Sequence, residues 1–337
     1  MKNKTADVPY TGVREEVIKD AKPTLNDKSL TLLSKWITER YKIRVKKDVE
    51  KIPAPWTNCP ILQKVKFTNV FREDDRATIW LIDNVCNNPK LTYENKILNC
   101  ILFRLFNKIE TCELIGMPLD FSFIKYKDEI REILEAHEEK DPKYIFFTSA
   151  FNTGGFKAGS VKHTGEEYIP MRPISFMEYI INDNIMERLL DAESPEFVIK
   201  ELMEYTGIGK FLSYQIFVDF TYIEQYPFSE NHYTVSGPGC SLGLSFLFED
   251  KDGMTDAECL FWLRDNHGVL NIDWEELLHD RAPFDRCTNV MSLENNFCEF
   301  SKYYRCTEKL EAGETVRARV KYDGEGFSGA NLDGFLK

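Results

Sequence analysis

A chain of 337 residues with 43% hydrophobic content has ample material for a large core, and no apolar run approaches membrane-spanning length. The 43 Lys and Arg against 55 Asp and Glu leave a net charge of -12, which excludes coating of nucleic acid by bulk charge and leaves only a local patch and a specific pocket for such a partner. The nine cysteines, an odd number with no Cys-x-x-Cys pair, exclude a disulfide framework and a four-cysteine iron–sulfur cluster; reduced, mostly buried thiols in a cytosolic compartment are expected.

Residues 1–28 are rich in Lys and Asp and read as a polar lead-in. From 29 the spacing of Leu30, Leu33, Trp36, Ile37 and Tyr41 is helical, with Asp27 or Ser29 as cap. Arg40, Lys42, Arg44, Lys46, Lys47 and Lys51 form a basic run broken only by Asp48 and Glu50, read either as a patch for an anionic partner or as a solvated face. Pro53 and Pro55 break the chain. Helices are expected over 74–84, over 95–109 with several apolar faces, and over 126–140. Tyr144 to Phe147 reads as a strand, Asn152 to Gly159 as a loop and Tyr168 to Ile174 as extended chain, so 143–175 is expected as a small β-containing insert. Helices resume over 175–190, with Ser175 and Glu178 as a capping box, over 195–205 with Pro195 in the first turn, and over 210–222. Those over 255–266 and 273–280 are shorter, and 316–322 alternates like one strand.

Two glycine motifs stand out. Glu204-Tyr-Thr-Gly-Ile-Gly-Lys-Phe-Leu reads as helix, hairpin, helix. Gly207 and Gly209 permit a tight turn, and Lys210 opens a helix whose positive end suits a phosphate of a nucleic-acid backbone. The alternative is a plain corner between packed helices. Val235-Ser-Gly-Pro-Gly-Cys is a second turn, with Gly237 and Gly239, entering another element. Asp219 lies within the apolar run Ile216, Phe217, Val218, Phe220, where a charge needs either a function or an ion-pair partner.

Two dense polar and aromatic segments complete the pattern. One is Pro55-Trp-Thr with Phe67-Thr-Asn-Val-Phe-Arg-Glu-Asp-Asp-Arg76, and the other is Cys298-Glu-Phe-Ser-Lys-Tyr-Tyr-Arg305. Together with the hairpin and the Gly-Pro-Gly turn, these motifs span 30–306 and make the chain resemble the bacteriophage α-glutamyl/putrescinyl thymine pyrophosphorylases, also described as amino acid:DNA transferases. That family shares a helical domain with phage 5-hydroxymethyluracil DNA kinases. The chain departs from its pattern at Cys59, where the family tends to be acidic, and at Ser301, where it tends to have Asp.

The resemblance implies a mainly α, helix-hairpin-helix DNA glycosylase-like fold with the small β insert. The domain would cover 29–310 in two lobes, with the hairpin lobe over about 176–310 and a tail over 311–337. It also implies a role in thymine hypermodification in the cytoplasm of an infected bacterium. The (pyro)phosphate on the exocyclic oxygen of 5-hydroxymethyluracil in double-stranded DNA would be replaced by an amino acid or polyamine, with a phage DNA kinase as a possible partner and no membrane. Cations for the leaving group would come from Arg72, Arg76, Lys302 and Arg305. A carboxylate to neutralise the amine would come from Asp219, Asp75 or Glu299, with Asn69 beside them in the matching motif. For Arg72 and Arg76 the plain alternative is an ion-pair network with Glu73, Asp74 and Asp75. No metal or cofactor is expected, and no GxxxxGK[ST] loop marks the chain as a P-loop kinase. Two alternatives stand beside the transferase: a glycosylase using Glu230, and a non-catalytic DNA-binding partner of a base kinase.

Overall fold

The computed structural model describes residues 10–121, 127–148, 154–281 and 289–316. The chain forms two compact units. One gathers Arg76–Glu230; the other joins Asn3–Asp75 to Asn231–Lys337. In chain order the second unit opens with α1 (Glu15–Asp20), β1 (Thr24–Leu25), α2 (Asp27–Arg44) and α3 (Pro60–Lys64). The first then contributes α4 (Arg76–Leu81), α5 (Tyr93–Phe106), α6 (Ile109–Leu114), α7 (Lys127–Lys140), α8 (Gly154–Gly159), α9 (Val161–Thr164), α10 (Arg172–Asn182), α11 (Ile185–Leu190), α12 (Pro195–Met203) and α13 (Lys210–Phe220). The chain returns through α14 (Pro238–Leu247), β2 (Phe248–Asp250), α15 (Asp256–Asp265), α16 (Trp274–Leu277) and α17 (Val290–Glu311).

In the Arg76–Glu230 unit, α5 is buried from Lys96 to Phe106, as its many-faced apolar pattern requires. It packs against α13, itself buried from Leu212 to Phe220. Two buried charges meet between them: Arg104 Nε and Nη2 donate to the two oxygens of Asp219 at 2.7 and 2.6 Å. Ser194 caps α12 by accepting the Phe197 N–H, with Pro195 at the first position. Between α12 and α13 the hairpin is shaped by Gly207 at φ +102° and by the buried Ile208. A Cβ on Gly159 of α8 would stand 2.6 Å from the Gly207 Cα, so the α8 backbone lies directly on the hairpin.

The other unit is organised around α17. Gly239 and Gly243 of α14 face it: a Cβ on Gly239 would stand 2.6 Å from Cys298 Sγ, and one on Gly243 would overlap the Phe297 carbonyl oxygen. α2 packs on the same helix, starting from Asn26, whose side chain accepts the Ser29 N–H. The cap is therefore one residue before Asp27 and three before Ser29, the two expected candidates. From Tyr10 the polar lead-in is part of the fold. Ile18 is buried, and Arg14 makes a two-pronged bond to Glu258 of α15, with Nη2 to Oε2 at 2.7 Å. β1 and β2 pair antiparallel.

Mainly helical architecture is observed, but the β-containing insert is not. Among the described residues of 143–175, Tyr144–Phe147 is turn and coil and the rest is mostly α8, α9 and the start of α10. The aromatic run is satisfied by side-chain packing instead of a strand partner: Phe147 stacks on Phe106, and Tyr144 and Phe146 stand edge-on to His137. α10 begins at Arg172, not at a Ser175 cap, because Pro173 fits the first turn and Ser175 Oγ donates to Glu166 instead. The strand expected over 316–322 falls, past Val316, outside the described residues.

The α14–α17 crossing gives a direct test. Gly243→Ala should lower stability by roughly 1–3 kcal/mol or more through overpacking, while Gly268→Ala, where nothing lies within 4 Å of the added Cβ, should not. Paired thermal melts of the two variants decide it.

Candidate functional site

The polar residues expected to act together fall into two groups, one in each unit. In the Arg76–Glu230 unit the hairpin ends at Gly209, the N-cap of α13, which has no side-chain cap. This 11-residue helix starts beside the exposed Gly209 and Lys210. The turn is fastened from behind, since the Thr206 N–H donates to His163 Nε2 of α9 at 2.8 Å. A fastened turn opening a helix that has no side-chain cap, with a lysine at its first position, is of the type that suits a phosphate.

In the same unit Asp219 is 0% exposed, with both oxygens engaged by Arg104. That is the ion-pair alternative left open by its apolar surroundings. The guanidinium in turn donates to Asn107 Oδ1. Arg76 is exposed and pairs with Glu110 at 2.6 Å. Glu230 is buried.

The second group converges on α17. Its exposed edge holds the 66–69 segment: Glu299 accepts the Thr68 N–H at 3.1 Å, Asn295 donates to the Asn69 carbonyl at 3.2 Å, and Lys302 pairs with Glu299 at 2.7 Å. Arg40 of α2 reaches the same segment, donating to the Thr68 carbonyl and to Asn69 Oδ1 at 2.6 Å. Asn69 then donates its backbone N–H and its amide to Asp75 Oδ1, at 3.1 and 3.0 Å. Arg72 follows a buried Phe71 and is itself buried. Glu73 and Asp74 pair with Arg281, and Asp74 also with Arg44, so Arg281 and Arg44 join the anticipated acidic network. Arg305 is exposed on α17.

One carboxyl in this group was not singled out from sequence. Glu294, 6% exposed, accepts the Gly237 N–H at 3.3 Å, at the start of α14. Burial pushes its pKa up to about 7, opposed by that amide and by Arg72. Burial likewise raises Asp75 to about 6, against the Asn69 amide, Arg40 and Arg72. Arg72 thus lies in the field of two acids poised near neutrality, a charge state suited to proton transfer. The signal for Glu294 was present: like Asp219, it is an acid flanked by buried residues, here Leu293 and Phe297. Gly237 serves as its donor, and Gly239 lets α14 come close enough.

Among the described residues no group of three or more His, Cys, Asp or Glu is placed to hold a metal ion. None of their helices is long and apolar enough to cross a membrane. The eight described cysteines are unpaired and, apart from the partly exposed Cys298, buried.

Residues 27–312 match the family described as the helical domain of 5-hmdU DNA kinase. The chain is also similar to a 5-hmdU DNA kinase of Bacillus phage SP10, 27% identical over 289 residues, which cover 81% of this chain and 45% of the relative. The chain therefore spans less than half the length of that curated relative. No solved structure matches.

Glu294 also makes stability depend on pH in a stated direction. A carboxyl raised from 4.5 to about 7 keeps its proton in the folded state while the unfolded chain releases it near 4.5. Its contribution is intact below about 4.5 and is lost as pH rises to about 7, a cost on the order of 3 kcal/mol. Glu294→Gln retains an acceptor for the Gly237 N–H. It should therefore gain stability relative to the parent protein between pH 5 and 8, measured by denaturant unfolding. A difference that does not change with pH would refute the assignment.

Proposed function

This chain belongs to the family of the helical domain of 5-hmdU DNA kinase, and on that premise we propose that it acts on substituted uracil in DNA as an amine transferase. The substrate in this reading is 5-phosphomethyluracil, or its pyrophosphate, in double-stranded DNA, and the second substrate is an amino acid or polyamine. The observation that supports the reading is the cluster around Asp75, which accepts the Asn69 backbone and side-chain N–H groups while Asn69 is held by Arg40, with the buried Arg72 nearby in the electrostatic field of Asp75.

Asp75 is more accessible than Glu294 and takes a proton from the incoming ammonium group. The neutral amine attacks the exocyclic methylene carbon. A C–N bond forms, the C–O bond to the phosphate breaks, and the phosphate leaves with the electron pair. Arg72 stabilises that departing charge, and Arg40, Lys302 and Arg305 add positive potential on the same unit. Asn69, bonded to both Arg40 and Asp75, keeps the base oriented. Glu299 holds the 66–69 segment in register. Asp219 acts in this reading through the frame, by holding Arg104. The base must leave the stack to be reached; in the Arg76–Glu230 unit, the hairpin at Gly207, Gly209 and Lys210 is a separate contact to a nucleic-acid backbone in this reading.

A second reading is favoured by the name of the relative and by the partial coverage of its length. The chain would then present the base to a separate kinase activity without turning it over. Nucleoside mass spectrometry separates the two. DNA containing 5-phosphomethyluracil, incubated with the protein and mixed amines, should yield an amine-adduct nucleoside, with Asp75→Asn and Arg72→Ala each slower by about 100-fold or more. DNA binding without any adduct supports the second reading, and released free base returns the chain to the glycosylases. Lys210→Ala should lower the salt slope of duplex binding by about one phosphate contact across all sequences. An unchanged slope removes the hairpin from the interface.

A further inference from the structure

The Pro-Trp-Thr segment is not used by the chemistry above, yet it is built with care. Trp56 donates its indole N–H to the Ile52 carbonyl at 2.7 Å, and Lys46 Nζ donates to the Trp56 carbonyl at 3.0 Å. Thr57 is fastened on both sides: its hydroxyl donates to Glu39 at 2.7 Å, and its carbonyl accepts from Gln63 at 2.6 Å. The ring is therefore held in one orientation. It forms a wall of a cleft of about 250 Å³ whose other walls include Ile43, Pro55, Leu62 and Lys64. Drug-sized sites run from roughly 300 Å³ upward, so this one is on the scale of a single planar ring system.

The rim is basic. Between 42 and 66 the chain carries six lysines against only Asp48 and Glu50, in a protein of net charge -12. Lys42, Lys47, Lys51, Lys64 and Lys66 are exposed, and the Lys47 ammonium stands 5.9 Å from the centre of the Trp56 ring. Lys46 and Lys47 sit on a widened π-turn, Val45–Val49, that continues α2 towards the cleft. An apolar slot with a fixed aromatic wall, Lys64 in its lining and Lys46 and Lys47 beside Trp56 is complementary to a nucleotide: the base stacks and the phosphates meet the ammonium groups.

We propose that the Trp56 cleft is a second nucleic-acid site, which takes an unstacked base of a single-stranded segment by stacking, without reading its sequence. This rests on DNA being the partner, and not on any transfer chemistry. The site gives an acidic protein a place to hold DNA opened around a flipped base, using charge concentrated on one short stretch.

The test uses the full chain, unmodified fluorescein-labelled oligothymidine and fluorescence anisotropy, so a failed transferase assay leaves it standing. Trp56→Ala should weaken binding roughly tenfold or more, and Trp56→Phe, which keeps a stacking face, should retain most of it. Lys47→Ala, at an exposed site, should lower the slope of log affinity against log salt by about 0.7. Parental affinity in a folded Trp56→Ala variant overturns the proposal. So does equal loss in the Ala and Phe variants, or an unchanged slope for Lys47→Ala. A parent chain that ignores the oligonucleotide overturns it in favour of a protein segment as occupant.

Discussion

The close crossing of α14 over α17 is the constraint on which the candidate site depends. Gly239 and Gly243 remove the side chains that would keep the helices apart, so α14 meets Cys298 and Phe297 directly. That approach puts the amide of Gly237, the N-cap residue of α14, against Glu294. A carboxyl at this depth is costly without a donor, and a helix N-terminus is among the few groups that can supply one without adding a second formal charge. The other side of α17 then fastens the 66–69 segment through Asn295 and Glu299, which places Asn69 over Asp75. One helix thus carries both acids of the cluster, one directly and one through a loop.

The two units treat buried carboxyls differently, and the difference separates frame from chemistry. Asp219 receives two short charge-assisted bonds from one guanidinium that lies entirely inside the protein. Such a pair fixes geometry, and removing one partner leaves an uncompensated charge at about 3–5 kcal/mol. Asp75 and Glu294 instead share the field of Arg72, and their own hydrogen bonds come mainly from backbone or amide N–H groups. Neutral donors stabilise the ionised form less than a dedicated cation does. Burial therefore wins at these two acids, and the proton is retained to near-neutral pH.

Much of the helical scaffold was legible because it rests on local signals. The apolar run read as a helix over 95–109 and Pro195 at the start of the helix read over 195–205 act within a few residues, and α5, α12 and α15, the last expected over 255–266, stand close to where they were read. The unit boundaries were not legible, because one unit is assembled from 3–75 and 231–337, and no local pattern encodes that pairing. The aromatic alternation at Tyr144–Phe147 misled for a related reason: period-two burial is the same whether the partner is a strand or the side of a helix. Of the expected site residues, Asn69, Arg72, Asp75, Gly237, Gly239, Glu299 and Lys302 fall in one unit, while Asp219, Arg76 and the hairpin fall in the other. Glu294 has apolar flanks at Leu293 and Phe297, but Asn295, Asn296 and Glu299 beside them make the same stretch of helix read as solvated until α14 is known to cover it.

Glycine illustrates why motif and mechanism must be separated. Both turns invite the same reading, a backbone bared for a phosphate. At Gly207 a φ of +102° and contact with Gly159 demand the residue for conformation and packing at once, while the neighbouring Gly209 is the N-cap of α13. At Gly237–Gly243 the Gly237 amide is already turned onto Glu294, and the missing side chains of Gly239 and Gly243 serve the helix crossing. The first turn leaves α13 without a side-chain cap beside the exposed Lys210, whereas the second gives its N-cap amide to Glu294. The same sorting explains how an acidic chain can present a basic face. Asp74 and Asp280 are drawn into pairs with Arg44 and Arg281, while the lysines over 42–66 are mostly left at the surface. Net charge therefore says little about this protein's partner, because internal pairing of the acids decides which sign the local surface shows.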